Sequence, residues 1–552
     1  MNTTAMSFDL LEEPWIAVTN QYGTTREVSL REVFRESESI ASVAGEVPTQ
    51  AFAILRLLLA ILHRSVHNRA GGPVEVWRDL WSDWPADAID EYLAEHHSRF
   101  DLFDPRAPFL QVADLRSGKD AVSSLDKLIA DVPNGSKYFT TRAGRHIQRI
   151  SPAEAARWLV HVHAFDPSGI KTGAEGDPRV KGGRGYPIGV AWSGGLGGVF
   201  LEGVNLRQTL LLNLVLMDLN NERYPSDDLP PWERKPDGAR ERSSGAPTGP
   251  VDLMTWQSRR VRFVRTDSFV TGVVLCNGDA LPPFNQHLLE AMTGWRYSEI
   301  QSKKANDTRH YPVLHDPDKS LWRGLASLLG DVANTASIAG RSIAPGVVEW
   351  ASILLYREVL PATQPIRLHA TGIQYINNQS VVGDIVDDTI GFSAALLTRD
   401  PVLRNCALTA VNIAEKAVDA LGTLAADLSV AAGGTPEASR GRAREAGFFE
   451  LEAPYRTWLR HLRPRSDDYS DEASRWERAV DHIIRRLGAE LVADAGQQAW
   501  VGREVRDRWV DSARADHWFH LRLSKLLPAG RALDSRTAEG AIADDEIVDV
   551  AW

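Results

Sequence analysis

"SAALLTRDPVLRNCALTAVNIAEKAVDALGTLAADLSVAA", Ser393 to Ala432, decides how this chain is organised. Apolar residues recur through it at helical spacing, and its forty positions hold one proline, Pro401, and one glycine, Gly422. Helical patterns continue in "YRTWLRHL" (Tyr455–Leu462), "ASRWERAVDHIIRRLGAELV" (Ala473–Val492) and "SARADHWFHLRLSKLL" (Ser512–Leu527). Four helices with apolar stripes predict an antiparallel four-helix bundle over residues 391–527. Residues 528–552, ending "DDEIVDVAW", form an acidic tail expected to be flexible. Upstream, glycine and proline are frequent and helical and strand patterns mix, so residues 1–390 read as a large mixed α/β domain. The expected class is therefore α+β: a mixed N-terminal domain followed by a helical bundle.

Within 1–390 two helix starts are explicit. "SLRE" (Ser29–Glu32) is a capping box, and "SPAE" (Ser151–Glu154) adds proline at the first helical position. The second opens an amphipathic helix that ends at "DPSG". "AFAILRLLLAIL" (Ala51–Leu62) is too short to span a bilayer and carries Arg56 at its centre, so it reads as a buried helix. "VFLEGVNLRQTLLLNLVL" (Val199–Leu216) passes from strand to helix, Asp227–Pro250 is a long polar connection, and "VDLMTWQSRRVRFV" reads as a strand pair around a turn. With no signal-type N-terminus and two cysteines, Cys276 and Cys406, in no C-x-x-C pair, a cytoplasmic protein without membrane contact is expected.

The formal net charge is -11, which argues against general nucleic-acid affinity. Locally the balance reverses: Lys137 to Arg184 holds nine Lys/Arg against four Asp/Glu, a net of +5. Three segments stand out as binding elements. "VKGGRGYPIGVAWSGGLGG" (Val180–Gly198) combines a glycine loop with Lys181 and Arg184, letting main chain approach a phosphate or base edge. "PNGSKYFTTRAGRHIQR" (Pro133–Arg149) mixes Lys137 and three arginines with Tyr138 and Phe139, a composition suited to stacking and phosphate contact. In "GIQYINNQSVVGD" (Gly372–Asp384), alternating half-strands flank Asn377 and Asn378, which tolerate left-handed backbone and put Gln379 at a hairpin tip.

Catalytic patterns are missing from the sequence. It holds no Walker loop, no G-x-S-x-G elbow and no H-E-x-x-H pair, and the glycine loop follows a helix rather than a strand. The histidines (His161 and His163, His310 and His315, His482, His517 and His520) read as structural or surface groups. No catalytic residue, metal or cofactor is expected. The alternative is a nucleotide- or phosphate-binding enzyme that uses the glycine loop as a cradle.

The chain resembles the CasA family, the large subunit of the type I-E CRISPR surveillance complex Cascade. The resemblance rests on "FDLLEEPWIAVT" (Phe8–Thr19), "GVNLRQTLLLNLVL" (Gly203–Leu216), "PPWERKP", "MTWQ" and the "NNQ" tip at Asn377–Gln379. It implies a non-catalytic antiviral subunit that senses the protospacer-adjacent motif (PAM) through the DNA minor groove. The subunit would then begin strand separation for R-loop formation and dock a helicase-nuclease. Implied partners are the other Cascade proteins, crRNA and double-stranded target DNA. It places the PAM-sensing loop on Gly182, Gly183, Arg184 and Gly185, and the strand-splitting wedge on Gln379. The anchoring loop falls on "SKYFTT", with Phe139 flanked by Lys137 and Tyr138. The family's minor-groove lysine belongs shortly before "GWRY" (Gly294–Tyr297), where residues 277–294 contain none; Lys303 or Lys304 would substitute from a loop. Arg440, Arg442 and Arg444 in "SRGRARE" are candidates for the displaced strand.

Overall fold

Apolar side chains on every face make the helix Pro48–Val66 a core element. In the computed structural model, which describes residues 7–118, 121–132, 147–329, 342–398, 401–463, 469–505 and 508–528, its apolar window is 89% buried. By length and composition it is the one described helix able to cross a membrane, and its burial marks it as a core helix. Its central arginine is accommodated as an inward pair: Arg56 makes two 2.8 Å hydrogen bonds to Glu290, with 1% and 2% of the two side chains exposed. Glu290 also accepts from Trp192 Nε1 at 2.7 Å, so the pair fastens the end of the glycine-rich stretch to the core. Removing one partner would strand a buried charge and cost about 3–5 kcal/mol.

The chain divides into two compact units, residues 1–399 and 400–552. In the first, the strands Ile16–Asn20, Thr25–Val28 and Ile40–Val43 form an antiparallel sheet with the first of them central. The capping box forms as read, with Ser29 Oγ accepting from Glu32 N and the Glu32 carboxylate accepting from Ser29 N. The helix Pro152–Phe165 starts where Ser151 Oγ accepts from Glu154 N at 3.1 Å, and it packs against the core helix. His161 and His163 are buried on it, bonded to Thr49 Oγ1 at 2.9 Å and to the Leu110 carbonyl at 2.8 Å. They are structural groups, as the sequence indicated.

The sheet that carries the glutamine tip has three strands in the order Val381–Ser393, Pro365–Ile376, Gly198–Glu202. The two long strands pair from Pro365↔Ser393 to Ile376↔Val381, and the short third strand covers only Arg367–Thr371. Beyond Thr371 the hairpin runs on as a two-stranded ribbon. Five residues at about 3.3 Å each carry its tip roughly 16 Å past the third strand.

Four readings of the sequence are corrected. Strand pairing holds the chain extended to Ser393 and a 3-10 turn occupies Ala394–Leu397, so the helical texture read from 391 becomes helix at Pro401. "VDLM" lies in a short helix, Pro250–Met254, and the strand pair is Arg259–Thr266 with Phe269–Asn277. The helix after Gly198–Glu202 ends at Asn213, whose side-chain amide bonds the strand at Leu201 instead of continuing the helix. Lys303 and Lys304 stand on a helix, Glu299–Ala305, rather than on a loop.

In the second unit the long helices are Pro401–Ala432, Pro436–His461, Ser470–Ala493 and Ser512–Leu526; the first packs against each of the other three. Gly422 lets the first two approach: a Cβ there would come within 2.8 Å of Arg444 Cγ. Trp476 Nε1 bonds the Ala410 carbonyl at 2.8 Å and Tyr455 Oη bonds the Ala407 carbonyl at 3.2 Å, which fixes the helix register from inside. Between the third and fourth helices lie a short helix, Gln497–Val501, and a strand pair, Arg503–Val505 with Arg508–Val510. The tail from residue 529 lies outside the described residues.

Candidate nucleic-acid interface

Residues Lys171–Thr172 and Arg184–Gly185 pair antiparallel, and Lys181 and Arg184 exchange two 3.1 Å backbone hydrogen bonds. The glycine loop is thus a tight hairpin with Gly182 and Gly183 at its tip. Both have positive φ, 58° and 72°, as a two-residue turn of the type I′ kind requires. Lys181, Gly182, Gly183 and Arg184 are exposed, and nothing lies within 4 Å of where a Gly182 Cβ would be. Gly185 is different. It is buried, and a Cβ there would sit 3.0 Å from Asn277 Nδ2, so it seats the hairpin on the body rather than presenting surface.

The local excess of positive charge resolves into two classes. Arg157 is buried between Glu46 and Glu27, Lys171 is paired with Asp166, and Arg179 is paired with Asp177 and Glu241. Arg149 lies over the Phe269 ring, 4.4 Å from its centroid. Among the described residues of this segment, Lys181 and Arg184 show no ion pair. Among the described residues of this segment, the charge available to a ligand is therefore concentrated on the glycine tip.

The glutamine hairpin closes through a four-residue loop, Asn377–Ser380. Asn377, Asn378 and Gln379 all adopt left-handed backbone, with φ of 51°, 55° and 64°. All three side chains are exposed. Asparagine tolerates this conformation, whereas for glutamine it costs roughly 1–2 kcal/mol. The loop holds it there: Ser380 N donates to the Ile376 carbonyl at 3.1 Å, and Ser168 N donates to the Gln379 carbonyl at 2.9 Å. Lower on the stem, Tyr375 Oη donates to the Phe165 carbonyl at 2.5 Å. Gly194 makes room for that tyrosine, since a Cβ at 194 would lie 2.5 Å from its hydroxyl oxygen.

Both tips are tied to one segment, Asp166–Thr172. Ser168 holds the glutamine loop, and Lys171–Thr172 is the partner strand of the glycine hairpin. Along this route, at about 3.6 Å per extended residue and about 5 Å per cross-chain step, Gln379 and Gly185 are at most roughly 20 Å apart. Lys171 and Ser380–Val382 also line the same small cleft.

The segment is fixed by a buried charge cluster that sequence reading missed. The Asp166 carboxylate pairs with both Lys171 and Arg259, with side-chain exposures of 4%, 14% and 1%. Burial pushes the Asp166 carboxyl up, but Lys171 and Arg259 outweigh it and hold it below the usual carboxylate range. Burial pulls the Lys171 ammonium down despite its partner. Arg259 further donates to the carbonyls of Asp166, Pro167 and Gly189, clamping both ends of the glycine hairpin. The available signal was "RR" at Arg259–Arg260 inside a strand whose pattern buries both faces. Asn277, which donates to the Tyr186 carbonyl at 2.6 Å, gave no signal at all.

The remaining candidates fall elsewhere. Lys303 pairs with Glu299 at 2.6 Å, while Lys304 is exposed. In the second unit Arg440 and Arg442 are exposed and Arg444 is paired with Asp419. Lys137, Tyr138 and Phe139 lie outside the described residues. Among the described residues no group of three His, Cys, Asp or Glu is placed to hold a metal.

The family model for CRISPR-associated protein Cse1 matches residues 9–487. The chain belongs to the Cse1 family. Its fold matches the crystal structure of Thermobifida fusca Cse1 with a TM-score of 0.88 at 45% identity, covering 96% of this chain and all of that one. The CRISPR-associated protein CasA/Cse1 of Thermus thermophilus is 28% identical over 515 residues, 89% of each chain. At 18% identity the same fold occurs in a chain of a CRISPR RNA-guided surveillance complex, with a TM-score of 0.58 and coverage of 88% and 99%. Membership of the Cse1 family agrees with the CasA resemblance read from the "NLRQTLLLN" and "NNQ" blocks.

Proposed function

We propose that this Cse1-family chain is the DNA-inspecting large subunit of a type I-E RNA-guided surveillance complex. It senses the PAM in double-stranded DNA from the minor groove, starts strand separation and docks a helicase-nuclease, with no catalysis of its own. Its partners are the other Cascade proteins, crRNA and target DNA, and it acts in the cytoplasm.

One observation carries this reading: the bare glycine tip, with two cations that show no ion pair among the described residues, and the exposed Gln379 tip hang from the same short segment. The minor groove is narrow and distinguishes mainly A·T from G·C pairs. Peptide without side chains at Gly182–Gly183 can lie against it where a Cβ-bearing turn would collide. Lys181 and Arg184 flank that peptide and can hold phosphates on either side of it, and each lost phosphate contact weakens all DNA alike and flattens the salt dependence. Gln379, held in a strained turn, is positioned to enter the base stack, which costs the duplex a few kcal/mol. Guide pairing then exchanges one duplex for another at near balance.

The test is binding of PAM and non-PAM duplexes by the assembled complex carrying Gly183→Val. Discrimination should collapse while weak binding of both duplexes remains; a complex that still separates them normally would refute the reading. The phosphate-cradle alternative is less supported, because the glycine loop is a β-hairpin tip and not the N-terminus of a helix.

A further inference from the structure

The ladder Lys171↔Gly185 and Thr172↔Arg184 ends at Lys171 and Gly185, and Ile170 and Tyr186 are the residues one step beyond it on the two chains. Both are exposed apolar side chains, 57% and 53%, at the root of the glycine hairpin. Side chains alternate across such a hairpin. Lys171 and Gly185 face inward, to Asp166 and Asn277 respectively, which leaves Arg184 and Tyr186 on the opposite, solvent face. The Tyr186 main chain is fixed by Asn277, and no described polar partner explains why its ring is left in water.

We infer that Tyr186, backed by Ile170, is a stacking platform for a single unpaired nucleobase. The inference rests on the DNA-inspecting reading above and names what that site does with a base once the duplex is opened. The occupant follows from the surroundings. Ile170 is two residues from Ser168, which holds the Gln379 loop, so the platform lies beside the point of strand entry. Arg184 lies two residues along the same face, about 7 Å away. It shows no ion pair among the described residues and offers a phosphate contact to the nucleotide whose base rests on Tyr186. An unstacked base in water seeks an aromatic face, and such stacking does not demand a sequence. The wedge and the platform then divide the work: Gln379 removes a base from its stack, and Tyr186 gives that base somewhere to stay.

The experiment places 2-aminopurine at successive positions next to the PAM in a target duplex and follows its fluorescence with the assembled complex. With the wild-type complex, one position should first brighten on opening and then be quenched by stacking. Tyr186→Ala should abolish that quench and lower the yield of opened duplex about ten-fold while leaving PAM-duplex affinity unchanged. Tyr186→Phe and Tyr186→Trp should preserve the quench, which a merely structural tyrosine with a hydroxyl role would not predict. Opening with undiminished quench in Tyr186→Ala would overturn the platform and leave the wedge intact. Failure of any position to open in the wild-type complex would instead refute the DNA-inspecting reading itself.

Discussion

The main-chain N–H of Ser168 donates to the main-chain carbonyl of Gln379 at 2.9 Å, joining a loop that follows one helix to the tip of a distant hairpin. Because the contact is backbone to backbone, it fixes where Gln379 stands without using its amide. The side chain stays free for a ligand, and the tip is held against the segment that also carries the glycine hairpin.

The backbone strain at position 379 separates fold from function. Gln379→Gly relieves the left-handed conformation and should raise stability by about 1 kcal/mol while eliminating strand opening. Gln379→Asn keeps an amide and tolerates the turn, but is one methylene shorter, and should open DNA only partially. Thermal unfolding of the isolated chain and opening assays on the assembled complex check the two halves separately.

The glycine tip makes a complementary prediction. Gly182 has a φ of 58° and open space around its Cβ position, so Gly182→Asn should fold with a loss under about 1 kcal/mol. Gly182→Val, β-branched in a left-handed turn, should cost more. If minor-groove approach requires bare peptide, both variants should lose PAM discrimination although valine perturbs stability more than asparagine. Equilibrium unfolding beside duplex binding measures this.

The buried cluster beneath the two tips should be intolerant. Asp166→Ala leaves Lys171 and Arg259 buried without their carboxylate and should destabilise the first unit by about 3–5 kcal/mol. Hydrogen exchange should show the loss at both tips together, at residues 181–185 and 376–381, before it appears in the core helix Pro48–Val66. Exchange rising at one tip only would contradict a shared support.

The root of the glutamine hairpin is pH-sensitive. His369 is stacked on Phe200 and bonded to Glu202 and Asp387; burial lowers its pKa, but the two carboxylates outweigh burial and raise it to about 9. A raised histidine contributes stability that is fully present below its unfolded value near 6.5 and is lost as pH climbs through 9. The loss is at most about 3 kcal/mol, and less because Asp387 is half in water. His161 and His163 act oppositely. Burial lowers them to about 3 and about 4, so their contribution is present above pH 6.5 and fades as pH falls towards 4. Urea midpoints from pH 4.5 to 9.5 should therefore fall on both sides of neutrality, and His369→Gln should flatten only the alkaline limb.

Local chemistry made much of this legible in the sequence. The Ser29 and Ser151 caps, the Arg56-bearing core helix and the Asn-Asn-Gln tip each announce themselves within a few residues, because capping, amphipathicity and left-handed turns are short-range. The long helices of the second unit were visible for the same reason, although the strand pair Arg503–Val505 with Arg508–Val510 was not. What stayed hidden was long-range. Lys171 counted only towards a local positive balance and Gly185 read as part of an open glycine loop, yet Lys171 turns inward to an aspartate that had been read only as a helix end, and Gly185 packs on Asn277, far along the chain. Asp166, Ser168 and Arg259 matter through tertiary pairing, which leaves little trace in spacing.

The most direct measurement is permanganate reactivity of thymines beside the PAM, with the complex assembled around wild-type chain or Gln379→Gly. The account predicts reactive, unpaired thymines with the wild type and protected ones with the variant, at equal occupancy of the PAM duplex. Equal reactivity in both complexes would contradict it.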